Sequence, residues 1–217
     1  MSLRDAMNLN ASLQSRQWVL HAAHDVAMQP TSDLRDARRL LTAFMSDDPQ
    51  QLRVRNEMVT FLDAHPDALH RSSVDGHLTG SAVVVDAHVE NVLLLFHRKL
   101  KRWLQPGGHA DGDSNLAGVA QREASEETGI EDLRVVQPAI DLDIHEVSPP
   151  GEDRHLHLDV RFVVIAPLGA VGRRNHESDA LRWMSVADLE KDARLLALDV
   201  GTVRLIERGV IVARSLV

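Results

Sequence analysis

Gly108–Ile130 reads GHADGDSNLAGVAQREASEETGI, an arginine and three glutamates packed into one short segment framed by glycines. With Asp113 or Ser114 as the N-cap and Gly129 just past the end, the spacing predicts a helix of about four turns. Glu123, Glu126 and Glu127 then stand at i, i+3 and i+4 on one face, where like charges destabilise by roughly 0.2–0.5 kcal/mol per pair. Something cationic should offset that repulsion. A hard divalent ion, Mg2+ or Mn2+, takes several carboxylate oxygens and keeps waters that reach a phosphate. Gly107-Gly108, approached through Trp103-Leu104-Gln105-Pro106, lets the backbone come close to such an ion or to a phosphate.

The pattern Gly108, Arg122, Glu123, Glu126, Glu127, Gly129 and Ile130 resembles the signature of the Nudix hydrolases, GX5EX7REUXEEXGU with U a bulky aliphatic residue. Ala124 is a small substitute at the U position inside the helix, and Ser114 stands where the signature has its first glutamate. The resemblance implies an α/β fold: a Nudix-like α/β/α sandwich with a mixed sheet over residues 76–217, preceded by an N-terminal helical extension over residues 1–75. It further implies hydrolysis of a diphosphate in a nucleotide or related small molecule, with water attacking phosphorus. Glu123, Glu126 and Glu127 would hold Mg2+ or Mn2+ with the Gly107 carbonyl, and Arg122 would orient the carboxylates through a salt bridge. Glu127 and Glu126 are the first candidates for the general base, although a loop residue can take that role. Ser114 leaves the number of ions open, with Asp111 and Asp113 as nearby substitutes. It also keeps alive a non-catalytic module of the same fold that binds a nucleotide or related ligand.

The whole chain sets the wider limits. Its 217 residues are enough for a sizeable core, and 44% hydrophobic with 26% charged residues is ordinary for a globular protein. A net charge of -8 argues against a general nucleic-acid surface, which needs clustered Lys and Arg. The absence of cysteine excludes disulfides, thiolate metal sites and cysteine nucleophiles. No secretory h-region or membrane-length apolar run occurs, so the expectation is a cytoplasmic protein that meets a small diphosphate substrate and no membrane.

Helical periodicity marks three N-terminal segments: Val19, Ala22, Ala23 and Val26; Leu34, Ala37, Leu40, Leu41 and Phe44; and a helix opened by Asp48-Pro49 that ends at His65-Pro66-Asp67. These helices are expected to be a packed extension or a homodimer element. Leu78 to Val85 and Val92 to Phe96 read as strands of a hairpin, as do Val135 to Val147 and His155 to Ala166, with a further strand at Leu181 to Ser185. Ser185 is expected to cap a helix through Leu189, and a longer C-terminal helix should include Val203, Leu205, Ile206, Val210 and Ile211 despite Gly201 and Gly209.

Alternation puts His155, His157, Asp159 and Arg161 on one face of their strand and Asp141, Asp143 and His145 on one face of the preceding strand. This polar stripe suits a substrate floor or a second metal site; otherwise it is a sheet face turned to water. A histidine-centred metallohydrolase built on His145, His155, His157 and Asp159 would lack a spacing signature. His109 beside Gly108 is placed for a phosphate contact. Glu177, in the loop Arg173-Arg174-Asn175-His176-Glu177-Ser178-Asp179, is a candidate loop acid. Arg173, Arg174, Lys99, Lys101 and Arg102 are candidates for steering an anion.

Overall fold

The computed structural model describes residues 29–148, 151 and 153–216, so the segment expected to be helical around Val19 to Val26 lies outside the described residues. The chain runs α1 (Leu34–Ala43), α2 (Pro49–Ala64), β1 (Gly76–Val85), β2 (Asn91–His97), β3 (Arg102–Leu104), β4 (Gly107–His109), α3 (Leu116–Thr128), β5 (Arg134–Val147), β6 (His155–Ile165), β7 (Ser178–Ser185), a 3-10 turn (Val186–Asp188), α4 (Leu189–Leu195) and α5 (Val200–Arg214).

Seven strands form one mixed sheet of order β3-β2-β1-β6-β5, with β4 on β1 and β7 on β2. β1 and β6 pair in parallel from Gly76 with Leu156 to Val85 with Ile165. The other edge of β1 is divided: Val84 and Val85 pair with β2, whereas Thr79, Gly80 and Ser81 pair with β4. That division brings the Gly107-Gly108 strand under α3. β5 and β6 pair antiparallel on both sides of an irregularity between Val136 and Asp141.

Both faces of the sheet are covered, which explains why β1 is buried along its whole length. On one side Leu78, Ala82, Val84, Leu158, Val160, Phe162 and Val164 pack with Leu116, Val119 and Ala120 of α3 and with Ala37, Leu41, Met58 and Leu62 of α1 and α2. On the other, Val83, Val85, Val163 and Ile165 meet Leu205, Ile206, Val210 and Ala213 of α5. Gly209 permits that contact, because a Cβ there would run into Val83 Cγ1; the glycine that weakens helix propensity is where the helix touches the sheet.

α2 begins as its residues demand: Asp48 accepts a hydrogen bond from Gln50 N, followed by Pro49 at the first helical position. The helix is fastened to the sheet by buried Gln51, whose Nε2 donates to Leu142 O at 2.9 Å and whose Oε1 accepts from Leu142 N at 2.8 Å. Asp48 also pairs with Arg208 of α5 at 2.8 Å. The described part of the N-terminal region therefore shares the main core with the sheet.

Three details of the elements differ from expectation. α3 is capped by Asn115, which accepts from Gly118 N, because Asp113 and Ser114 are engaged elsewhere. The stripe on β5 and β6 does not face water: Asp141, Asp159 and Arg161 are 0%, 2% and 3% exposed, and Arg204 and Arg208 of α5 close over them. Ser185 precedes the 3-10 turn without a side-chain capping bond, and α4 starts after it at Leu189. No helix among the described residues is long and apolar enough to cross a membrane.

Candidate functional site

Gly80 of β1 and Gly108 of β4 are paired in register and both turn toward α3. A Cβ on Gly80 would lie 2.8 Å from Leu116 O, and one on Gly108 would collide with the Glu123 carboxylate. Two missing side chains thus let the helix lie flat on the strands and bring Glu123 against the β4 backbone. At the far end Gly129 closes α3 in the left-handed region, at φ 62°, its N–H donating to Ser125 O.

The three glutamates meet different surroundings. Glu127 is 5% exposed, accepts Gly107 N–H on Oε2 at 2.9 Å, and pairs with no Lys or Arg among the described residues. Burial pushes its carboxyl up to about 8; the Gly107 N–H opposes the shift, and the charges of Glu123, Glu177 and Glu126 add to it. Glu123 is half-buried and also raised, mainly by burial, against the hydrogen bond from Arg122. Arg122 Nη2 lies 3.0 Å from Glu123 Oε1, donates to His109 O at 3.4 Å, and Nη1 stands 3.9 Å from Asp113 Oδ2. Glu126 is exposed on the same helix face.

Glu177 comes to this group because its loop is tied to the end of α3, with Arg173 N donating to Thr128 O at 2.6 Å. Arg98 N then donates to Glu177 O at 2.9 Å, and the carboxylate adds to the negative field on Glu123 and Glu127. Lys101, expected to steer an anion, pairs instead with Asp179 at 3.0 Å, as does Arg98 at 2.7 Å.

Ser114 has a structural occupation. Its N–H and Oγ both donate to Thr31 O, at 2.6 and 2.8 Å, while Thr31 N donates to Asp113 Oδ1 at 3.1 Å. The two acids expected to substitute for the missing glutamate are also engaged: Asp113 holds Thr31 and Asn115, and Asp111 pairs with Arg71 through Nε at 2.8 Å. The N-terminal chain docks where the sequence departs from the signature.

On the opposite face of the sheet, His157 pairs in register with His77 and with His145, and His109 with Thr79. His109 and His157 are thereby brought together, their ring centres 5.1 Å apart. Asp159 lies beside them but is held internally: Oδ1 accepts from Thr79 and Ser81, at 2.9 and 2.8 Å, and Oδ2 from Arg161 Nε at 2.6 Å. Burial alone would lower the Arg161 pKa, but the carboxylates of Asp159, Asp143 and Asp141 keep it raised. His77 belongs to this cluster and escaped the sequence reading. Its signal was parity, since it leads Thr79 and Ser81 along β1, but the strand was expected to begin one residue after it.

A family model described as the NUDIX domain matches residues 77–204. Phosphatase NudJ of Shigella boydii is 30% identical over 125 residues, 55% of this chain and 74% of that protein. The NudJ phosphatase of Escherichia coli K12 matches to the same extent. Among solved structures, a NUDIX-family hydrolase from Clostridium perfringens aligns with a TM-score of 0.50 at 22% identity over 65% of this chain and 98% of that one. An Ap4A hydrolase from C. elegans gives a TM-score of 0.51 at 17% identity over 64% and 98%. At those identities the two structures establish the fold.

Proposed function

The chain belongs to the NUDIX family and is a Nudix hydrolase, and from that premise we propose that it cleaves a diphosphate linkage in a nucleotide or related small molecule, dependent on Mg2+ or Mn2+. The observation that carries this reading is Glu127, a buried carboxylate bonded to the Gly107 amide, surrounded by other acids and paired with no Lys or Arg among the described residues. Such a group ionises readily only when positive charge is brought to it. Oxygen donors from Glu123, Glu126 and Glu127, with the Gly107 carbonyl, suit a hard divalent ion better than a thiolate- or imidazole-seeking one. When bound, such an ion polarises the phosphate and lowers the pKa of its water.

The remaining work falls to the chain's own side chains. Arg122 is a positioning residue that fixes Glu123. Glu127 or Glu126 accepts the proton of the attacking water, and Glu177 stands on the loop side of the same field. His109, placed by the sequence for a phosphate contact, stands with its neighbour His157 on the sheet face away from α3, where Asp159 holds the β1 hydroxyls behind them. Ser114 is turned to Thr31, to which its hydroxyl donates, and in this reading the ion set rests on the glutamates of α3. The curated relatives named as phosphatases agree with action on a phosphate compound. A cytoplasmic setting without nucleic acid or membrane partners completes the proposal.

The test is product release across nucleoside triphosphates, nucleotide sugars, dinucleoside polyphosphates and coenzymes, with Mg2+ or Mn2+ and with Glu127→Gln as control. Metal-dependent turnover that disappears in the variant supports the reading. Silence across the panel, from folded protein that binds metal, contradicts it.

A further inference from the structure

We propose that His77, His109 and His157 form a second metal site, one that takes a transition-metal ion of the Zn2+ class and lies on the face of the sheet opposite the glutamates. The three come from β1, β4 and β6, and one ring nitrogen of each lies within 4.8 Å of the others. Ring centres are 4.9 Å apart for His77 with His109, 4.9 Å for His77 with His157 and 5.1 Å for His109 with His157. Nitrogens bound at about 2.1 Å around a tetrahedral ion stand roughly 3.4 Å from one another. Binding would draw the three nitrogens from within 4.8 Å of one another to that spacing.

A second observation points to a ligand. His77 is 1% exposed, and neither of its ring nitrogens has a hydrogen-bond partner among the described residues. The Ser73 backbone approaches the ring and mildly favours its protonation, without closing a hydrogen bond of acceptable geometry. Nε2 of His157 is likewise buried and unpartnered. Buried polar atoms without partners cost about 1–3 kcal/mol each, and the lone-pair nitrogen of a neutral ring, one from each histidine, is what a metal ion would take. Protonation does not provide it: burial first, then the neighbouring imidazoles, push His77 down to about 4 and His157 lower still. Neutral imidazole is the form that ligates metal.

Imidazole donors also separate this site from the carboxylate one. Three nitrogens favour Zn2+, Co2+, Ni2+ or Cu2+ and discriminate against Mg2+, which takes oxygen. Residue parity places the two sites apart, because Gly80 and Gly108 face α3 while His77 and His109 alternate to the other side. β1, β4 and the Arg122 bond to His109 O connect them. An ion here would tie the short β4 strand across β1 to β6.

The experiment is a Co2+ titration of metal-free protein followed by visible d–d absorption. The same titration is made in the Glu123→Gln/Glu127→Gln double variant, in His157→Gln and in His109→Gln, with far-UV circular dichroism to confirm folding. We expect bands that saturate at about one equivalent in the wild type and in the glutamate variant, and binding at least tenfold weaker in each histidine variant. X-ray absorption of the Zn2+-loaded wild type, which requires no variant, should give three nitrogen donors at about 2.0–2.1 Å. Bands that survive both histidine changes, bands lost with the glutamates, or folded wild-type protein without saturable binding would each overturn the assignment. Diphosphate hydrolysis is read separately, so loss of one proposal leaves the other standing.

Discussion

Glutamine at position 127 should remove most of a pH dependence that the metal-free wild type displays above neutrality. The folded-state pKa of Glu127 lies at about 8, against an ordinary value of 4.5, so the folded chain keeps a proton that the unfolded chain has lost. Stability therefore falls as pH rises from 4.5 through about 8, with a limiting slope of about 1.36 kcal/mol per pH unit. His77 and His157, both lowered from 6.5, are neutral in both states above that value, so their contribution is confined to more acid conditions. From pH 6.5 to about pH 9 the Glu127 contribution is about 2 kcal/mol, or roughly 4–8 °C in Tm for a chain of this size. The assay is urea unfolding in EDTA at several pH values, read as the difference between wild type and Glu127→Gln. His65, whose pKa is raised, slopes in the same direction but cancels in that difference. Adding Mg2+ should restore more stability at about pH 9 than at pH 6.5 in the wild type, and little in the variant. Parallel pH curves for the two proteins would refute the placement of a protonated, buried carboxyl at 127.

Other expectations concern packing and positioning. Gly108→Ala should push the Glu123 carboxylate aside and lower turnover by about a hundredfold, with unfolding free energy changed by less than about 1 kcal/mol; steady-state rates beside a denaturant curve check both halves. Gln51→Ala removes two bonds to the Leu142 backbone and should cost about 2–4 kcal/mol in chemical denaturation, showing that α2 belongs to the cooperative core. Arg161→Leu removes the buried cation bonded to Asp159 and Asp143 at 2.6 and 3.1 Å, leaves Asp159 without a charged partner among the described residues, and should cost about 3–5 kcal/mol by the same method.

The sequence was most legible where a local rule was enough. Glu123, Glu126 and Glu127 share a face by helix spacing alone, and Asp48-Pro49 opens α2 by capping chemistry alone. Contacts between distant segments were hidden. Asp113 and Ser114 look like caps until Thr31, from far along the chain, takes them both, leaving Asn115 to cap α3. The alternation in His155 to Ile165 was visible, but whether its polar face met water depended on α5. No local pattern announces that Arg204 and Arg208 will cover Asp141. Likewise His77 and His157 are eighty residues apart and become neighbours only through the parallel β1–β6 register.

The most direct measurement of the central claim is hydrolysis in oxygen-18 water with Mg2+, following the label by mass spectrometry on the best substrate of the panel. Label on a phosphate product, only with metal and only with Glu127 intact, is the predicted result. Unlabelled phosphate, or equal labelling in EDTA or in Glu127→Gln, would contradict a metal-dependent attack of water on phosphorus at the α3 glutamates.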